Sequence, residues 1–487
     1  MPNADAAHLR LEQELQALGQ VRLLHVLRDA SPEQRQRLLE QLLTIDLSLL
    51  GEVQTADSHA AVDAAGDRVT RARAPSQVVR QPRTQADAQR WEAARRTGEQ
   101  RLESGRAAVV TVAGGQGTRL GFDLPKGMYP IGPVSQRTLF QIFAEQILAR
   151  RRRHSASLPW LIMTSNATHA ETVAFFQRHA FFGLAADSVR FFRQGSLPAL
   201  DAVTGEILLS GPGEVALSPD GHGGIVGALQ RSGLLDWLEQ SGIEHLYYHQ
   251  VDNPTAILAD PTLLGFHVHA EAQATTCVVC RTSPAERMGV VVELSGRAEI
   301  IEYSELTPEQ SAGVDECGEW IFWAGNTAIH VFEVAFLQHL SSAGSRLPLH
   351  RARKNVPFLD ASGQLQKPTD AANPNAIKLE QFIFDALPMA TRTLVVEGHR
   401  EREFNPVKNS SGADSVETCR NALRRIAAAW LAAAGHVVPD DVPVEISPLQ
   451  ALDADELRRR LQDGSLTIKD LHPPVSPARG DGSGGEG

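Results

Sequence analysis

From residue 112 the chain reads Val112-Ala-Gly-Gly-Gln-Gly-Thr-Arg-Leu-Gly121, and Pro125-Lys-Gly127 follows three residues later. Glycines placed directly after an apolar, β-branched run let a backbone approach a ligand closely and offer N–H donors to phosphate. Arg119 adds a planar cation to this turn and Lys126 a point charge just beyond it. The spacing is not that of a P-loop, which needs Gly-x-x-x-x-Gly-Lys-Ser/Thr. Leu120 stands where the dinucleotide fingerprint places its third glycine. Other candidates lie far along the chain. Asp252 ends the apolar run 245–251, a suitable place for a metal carboxylate at the carboxyl end of a strand, or else a cap ahead of Asn253-Pro254. Lys378 is expected near the start of a helix opening after Asn373-Pro374. A cation there opposes the helix dipole and makes more sense with an anion between them. Lys408 lies in the polar loop 405–412, where composition alone reads as a solvated lysine. Two further signals read as structural. Cys277 and Cys280 have metal-like spacing without a second pair and are expected to be buried thiols on opposite sides of a strand. The run Arg150 to Arg153 is expected to be a solvated helix end that complements the dipole.

The elements that must position these residues alternate. Strands are expected over 107–113, 159–164, 189–192 and 245–251, and helices over 138–150, from Thr168 with Glu171 in a capping box, and over 224–240. The continuity of the first strand fits burial on both faces, as in a parallel sheet. Strand–helix alternation implies an open α/β sheet with crossover helices. Before it, Leu9, Leu11, Leu15, Leu18, Val21, Leu24 and Leu27 recur at helical spacing, and Ser31, Pro32 and Gln34 mark a second helix start. Residues 55–106 are rich in Ala, Gln and Arg and are expected to form an exposed helical arm. An alanine-rich helix is expected over 415–434, and the glycine-rich end of the chain as a tail. The expected organisation is a helical N-terminal region (1–104), a catalytic α/β domain (105–398), a small C-terminal domain (399–473) and a flexible tail (474–487).

Composition narrows the partners. The 487 residues carry 47 basic and 58 acidic side chains, a net charge of −11, so there is no global basic face for nucleic acid. Hydrophobic residues make up 42% and charged ones 22%, ordinary for a soluble protein. The longest apolar run, 426–434, is well short of the roughly 20 residues that span a bilayer. The first residues lack the apolar stretch of a secretory signal, and four cysteines are too few for a disulfide framework. A cytoplasmic protein without nucleic-acid or membrane partners is expected; no oligomeric state is implied.

The glycine turn with Pro125-Lys-Gly-Met128 closely resembles the signature of the UDP-sugar pyrophosphorylases, and within them the eukaryotic-type UDP-N-acetylhexosamine pyrophosphorylases. The likeness continues through Pro159-Trp-Leu-Ile-Met-Thr-Ser165, Phe191-Phe-Arg-Gln-Gly-Ser-Leu-Pro198, Pro219-Asp-Gly-His-Gly-Gly224 and Val251-Asp-Asn253. It extends to Ile301-Glu-Tyr-Ser-Glu305, Ala324-Gly-Asn326, Ile377-Lys-Leu-Glu380 with Phe382 and Phe384, and Glu403-Phe-Asn-Pro-Val-Lys-Asn409. The resemblance implies a Rossmann-like nucleotidyltransferase core with a mostly parallel sheet. It also implies uridylyl transfer from UTP to a sugar 1-phosphate with Mg²⁺. By motif position, Gly114, Gly115 and Gln194 hold uracil with Gly221 nearby, and Arg119 and Lys126 serve the triphosphate. Asp252 binds metal, Glu302, Tyr303 and Asn326 hold sugar hydroxyls, and Lys378 and Lys408 contact phosphates. His222 departs from the pattern. An asparagine is usual there, beside the sugar's N-acyl group, whereas histidine is the residue of glucose-type enzymes. N-acetylglucosamine 1-phosphate is the expected acceptor, with glucose 1-phosphate or a broader sugar range as the alternative. Ser196 replaces the methionine common on the uracil side.

The chemistry itself asks for little else. A sugar 1-phosphate is largely dianionic at neutral pH, its second pKa being about 6 by analogy with other phosphate monoesters, so no base is needed. The difficulty is gathering roughly six negative charges, when two unit charges 4 Å apart cost about 4 kcal/mol at an effective dielectric near 20. Scattered lysines and arginines must therefore converge on one cleft of an acidic protein.

Overall fold

A computed structural model of the chain describes residues 2–43, 45, 47, 50, 68–342, 347–360, 362–370, 372–439 and 442–471. The expected tail and the first part of the expected arm, residues 55–67, lie outside them. The central sheet runs in the order Val78–Val79, Thr393–Glu397, Ala274–Cys280, Ala324–Glu333, His245–Gln250, Ala107–Val112, Trp160–Thr164, Val189–Arg193. Every neighbouring pair is parallel except those made by Ala324–Glu333, which is antiparallel to both of its neighbours. The hairpin Val290–Leu294 and Arg297–Ile301 hangs from that antiparallel strand.

Helices cover both faces, so the central strands read as unbroken apolar runs. Within Ala107–Val112, Ala107 and Val109 enter the core on one face and Ala108 and Val110 the core on the other. Cys277 and Cys280 likewise separate onto the two faces, as a strand's period of two requires. Cys277 is buried and Cys280 half-buried, and neither is bonded to another cysteine.

Several local expectations change. The stretch expected as one helix over 224–240 is two, Ile225–Arg231 and Leu234–Gln240, because Gly233 adopts φ +68° between them. Thr168 precedes helix His169–Arg178 without capping it, since its Oγ1 accepts the Ser165 N–H at 3.0 Å instead. Lys378 lies on a strand, Ala376–Glu380, paired with His350–Lys354 and Leu200–Asp201 in a smaller antiparallel sheet. The N-terminal helices Val21–Asp29 and Pro32–Leu42 pack Leu24, Leu38 and Leu42 against Leu200, Leu209 and Leu379 of this region.

Helix Gln85–Glu103, expected in an exposed arm, is docked tightly on helix Pro261–His269. A Cβ at Gly98 would stand 1.8 Å from the Pro261 carbonyl oxygen, and one at Gly265 1.7 Å from that of Ala94, so only glycines permit this crossing. The arginine run is not a solvated helix end either. Arg150 is 4% exposed, and Arg153 Nη1 meets Asp453 Oδ2 at 2.7 Å with Glu456 on its other arm, joining helix Leu139–His154 to the C-terminal helices.

Candidate active site

The glycine turn leaves strand Ala107–Val112 at its carboxyl end and closes on itself. Gly117 N–H donates to Leu124 O at 2.9 Å and Lys126 N–H to Gly115 O at 3.1 Å. Ser165, just beyond the neighbouring strand, donates its Oγ–H to Gly114 O at 2.8 Å. Gly114 faces Gln194 so closely that a Cβ would lie 2.1 Å from Oε1, whereas the corresponding position on Gly115 is open space. The backbone edge of Gly115 and the buried Gln194 therefore adjoin one opening.

Lys126 follows the turn, and its Nζ lies 3.9 Å from Asp252 Oδ2, both side chains being largely covered. Asp252 in turn anchors the loop that carries Lys408. Its carbonyl accepts the Val407 N–H at 2.8 Å, Asn253 Nδ2 donates to Glu403 O at 2.7 Å, and Asn405 N–H donates to Asn253 Oδ1 at 3.2 Å. Lys408 Nζ is 3.4 Å from Asp414 Oδ2 on a half-exposed edge. Arg119 is exposed and makes neither ion pair nor hydrogen bond among the described residues.

The opposite wall is the segment 220–224, zippered to 381–383. Gln381 N–H donates to Asp220 O at 2.8 Å, Gly223 N–H to Gln381 O at 2.7 Å, and Ile383 N–H to His222 Nδ1 at 3.2 Å. Gly221 adopts φ +83°, and a Cβ there would stand 2.4 Å from Gln381 O and 3.2 Å from Glu380 Cβ. Lys378 and Glu380 share one strand face, so Lys378 extends from the face that abuts Gly221. Asp220 is the residue that sequence reasoning missed. Its carboxylate fills the space left by Gly195 and Gly224, each of whose added Cβ would lie 2.2 Å from it, and burial pushes its pKa up to about 6 against the pull of Arg231.

His222 stacks on Phe382 with centroids 5.2 Å apart, and His350 stacks on the same ring at 4.3 Å while meeting Asp385 Oδ2 at 2.7 Å. Burial, helped by the charge of His350, pushes His222 down to about 4. Its ring is therefore neutral at pH 7, and because Nδ1 accepts from Ile383 the proton sits on Nε2 as a free donor. Behind it, the ring nitrogens of His330 are buried without hydrogen-bond partners among the described residues. Glu302 is raised by burial and then by Glu305, with His350 and Lys408 pulling the other way, which puts it within electrostatic reach of both. A Cβ on Gly289 would stand 2.8 Å from Glu302 Oε1, and Asn326 N–H donates to Gly289 O at 2.8 Å, so Glu302 and Asn326 flank one backbone. Tyr303 is 45% exposed and touches no other member of the set through a hydrogen bond or ring contact.

The arrangement pairs Lys126 with Asp252 and Lys408 with Asp414 on the loop that Asp252 anchors, and leaves Arg119 exposed and unpaired among the described residues. It suits a polyanion better than a hydrolytic triad or a preformed metal cluster. Among the described residues no group of three or more His, Cys, Asp or Glu side chains is placed to hold an ion.

Comparison with known proteins gives the same direction. Residues 68–428 match the family described as UTP–glucose-1-phosphate uridylyltransferase. The UDP-N-acetylglucosamine pyrophosphorylase of Saccharomyces cerevisiae is 38% identical over 361 residues, 72% of this chain and 75% of that one. The UDP-N-acetylhexosamine pyrophosphorylase-like protein 1 of Xenopus tropicalis is 35% identical over 499 residues, covering 96% of this chain and 95% of that one. Among solved structures, the uridine diphosphate N-acetylglucosamine pyrophosphorylase of Trypanosoma brucei superposes with a TM-score of 0.78 at 26% identity, covering 96% of this chain and 97% of that one.

Proposed function

The chain belongs to the UTP–glucose-1-phosphate uridylyltransferase family, and on that premise we propose that it makes UDP-N-acetylglucosamine and pyrophosphate from UTP and N-acetylglucosamine 1-phosphate. The observation that carries the proposal is the meeting of Lys126 Nζ and Asp252 Oδ2, 3.9 Å apart, beside the Gly114–Gly115 turn. A phosphate oxygen of the sugar attacks the α-phosphorus of UTP. The new P–O bond forms as the bond to the β-phosphate oxygen breaks, and pyrophosphate leaves with that electron pair. No proton has to move, so the work is positioning and charge compensation.

In this reading Gly114, Gly115 and Gln194 hold uracil, with Gly221 shaping the opposite wall. Arg119 and Lys126 attract the triphosphate, and Lys378 and Lys408 the sugar phosphate. Glu302, Tyr303 and Asn326 receive sugar hydroxyls. His222 supplies through Nε2–H the donor that an asparagine gives in the acetylhexosamine pattern, so its presence is compatible with an N-acyl acceptor. Glucose 1-phosphate remains the second reading, because the same donor serves a hydroxyl.

Asp252 fits a role towards Mg²⁺. Its carboxylate makes no hydrogen bond among the described residues and has Lys126 as its one charged neighbour within 4 Å. A single carboxylate suits an ion that keeps most of its waters and binds mainly through substrate phosphates. When bound, such an ion supplies neutralisation of phosphate charge. Among the described residues no helix is long and apolar enough to cross a membrane, and all four cysteines are free thiols, which supports a cytoplasmic site of action. The test is pyrophosphate release from UTP and Mg²⁺ across a panel of hexose 1-phosphates. N-acetylglucosamine 1-phosphate should lead, and silence across the panel would reject catalysis.

A further inference from the structure

The arginine run noted in the sequence borders a second chamber, away from the glycine turn. A cavity of about 110 Å³ lies between helix Leu139–His154, the loop that follows Asp252, and the C-terminal helix Val416–Ala433. Its walls are mostly apolar, with Ile142, Ile257, Leu423 and Ile446 among them, yet Arg150 and Arg402 also line it. Arg150 is 4% exposed, and its Nε donates to Leu258 O at 3.2 Å. Its Nη1 and Nη2 make no hydrogen bond among the described residues. Arg402 has no ion pair there either and lies 6.0 Å from the Trp430 ring centroid.

No carboxylate forms an ion pair with Arg150 among the described residues, although Asp260 and Asp453 act on it at longer range. Glu445, in the wall, accepts from Val134 N–H and Ser135 N–H at 2.8 Å each and from Ser135 Oγ. Asp453 is held by Arg153, and Asp260 caps Thr262 N–H at 3.0 Å. Burial lowers the pKa of Arg150, with Asp260 pulling the other way, and an arginine stays charged regardless. Nη1 and Nη2 are not sealed off from the cavity that Arg150 lines, so a guanidinium with two unpaired nitrogens is open to an anion there.

We propose that this cavity binds a small amphipathic anion, its carboxylate or phosphate-ester head on Arg150 and Arg402 and its apolar body among Ile142, Leu423 and Ile446. The volume limits that body to about one aromatic ring or a short branched chain, since apolar cavities near 150 Å³ accept benzene. One wall, Pro254 to Ile257, directly follows the Asp252 loop.

The test titrates the full chain, with UTP and Mg²⁺ saturating the nucleotide cleft, with benzoate and with phenyl phosphate by calorimetry. Inorganic phosphate and toluene serve as probes that each lack half of the ligand. One site is expected, at least tenfold tighter for benzoate or phenyl phosphate than for either half-probe, and the better of the two identifies the head group. Arg150→Met should weaken it at least tenfold. Ala427→Leu, which fills the chamber and keeps both arginines, should do the same even if the first variant folds poorly, while Arg119→Ala should leave it unchanged. Absence of binding by every probe, binding that UTP displaces, or binding that survives Ala427→Leu would overturn the proposal.

Discussion

Gly114→Ala is a small change with a directed consequence. The new methyl would stand 2.1 Å from Gln194 Oε1 and 3.1 Å from its Cδ, against an ordinary contact above 3.4 Å. The next neighbour, Ser165 N, is at 3.4 Å and needs no movement, and Gly114 does not use a positive φ, so the backbone tolerates the residue. The amide end of Gln194 must therefore swing away by about 1 Å or more, enough to break a hydrogen bond to uracil. Losing one such bond removes about 1 kcal/mol, and stranding its partner costs about 1–3 kcal/mol more. The expected fall in kcat/KM for UTP is about 30- to 1000-fold, with Tm within a few degrees of the parent. Discrimination against CTP should fall with it. The assay is pyrophosphate release at varied UTP and CTP alongside a melting curve. An unchanged KM for UTP and unchanged discrimination in a folded variant would refute the placement of uracil between Gly114 and Gln194.

Arg119 is exposed and unpaired, so Arg119→Ala should leave stability within about 0.5 kcal/mol while removing a charge worth about 4 kcal/mol at 4 Å from a phosphate. Turnover should drop by about two to three orders of magnitude, and an unaltered rate would end its phosphate role. His222→Asn keeps an N–H donor on a shorter side chain and opens room beside the acyl group. The ratio of acetylated to plain sugar turnover should rise several-fold, and a flat ratio removes residue 222 from sugar choice. Asp252→Asn should raise the Mg²⁺ concentration for half-maximal activity at least tenfold; the same midpoint would dissociate Asp252 from the ion. Burial pushes His245 down to about 4 and His249, His267 and His330 to about 3, each from 6.5. The unfolded chain takes up these protons first, so Tm should decline as pH falls from about 6.5 to about 3. Asp220 and Glu403, raised to about 6 and about 7, oppose this by losing their contribution as pH rises through those values. Constant Tm from pH 6.5 to 4 would contradict the buried neutral histidines.

The parts of the site that were legible sit where local pattern and tertiary structure agree. The run into Gly114-Gly115 and the run into Asp252 are apolar because both strands are covered on two faces, and as parallel neighbours both end at the same edge of the sheet. Lys378 was misread because Asn373-Pro374 is an ordinary helix-start cue, while pairing with 350–354 and 200–201 is a long-range fact that no local window contains. The arginine run was misread for the same reason, since its burial depends on acidic partners some 300 residues away. The cap at Thr168 failed because Ser165 competes for the same hydroxyl. Asp220 carries no sequence signal of its own; only the third dimension brings Gly195 and Gly224 against its carboxylate.

The most direct measurement is a crystal structure with UDP-N-acetylglucosamine bound. Uracil is expected against Gly114 and Gln194, the diphosphate facing Lys126 and Asp252, and the acetamido group within hydrogen-bond distance of His222 Nε2. A nucleotide seated elsewhere, with Lys126, Lys378 and Lys408 turned away from its phosphates, would contradict that placement.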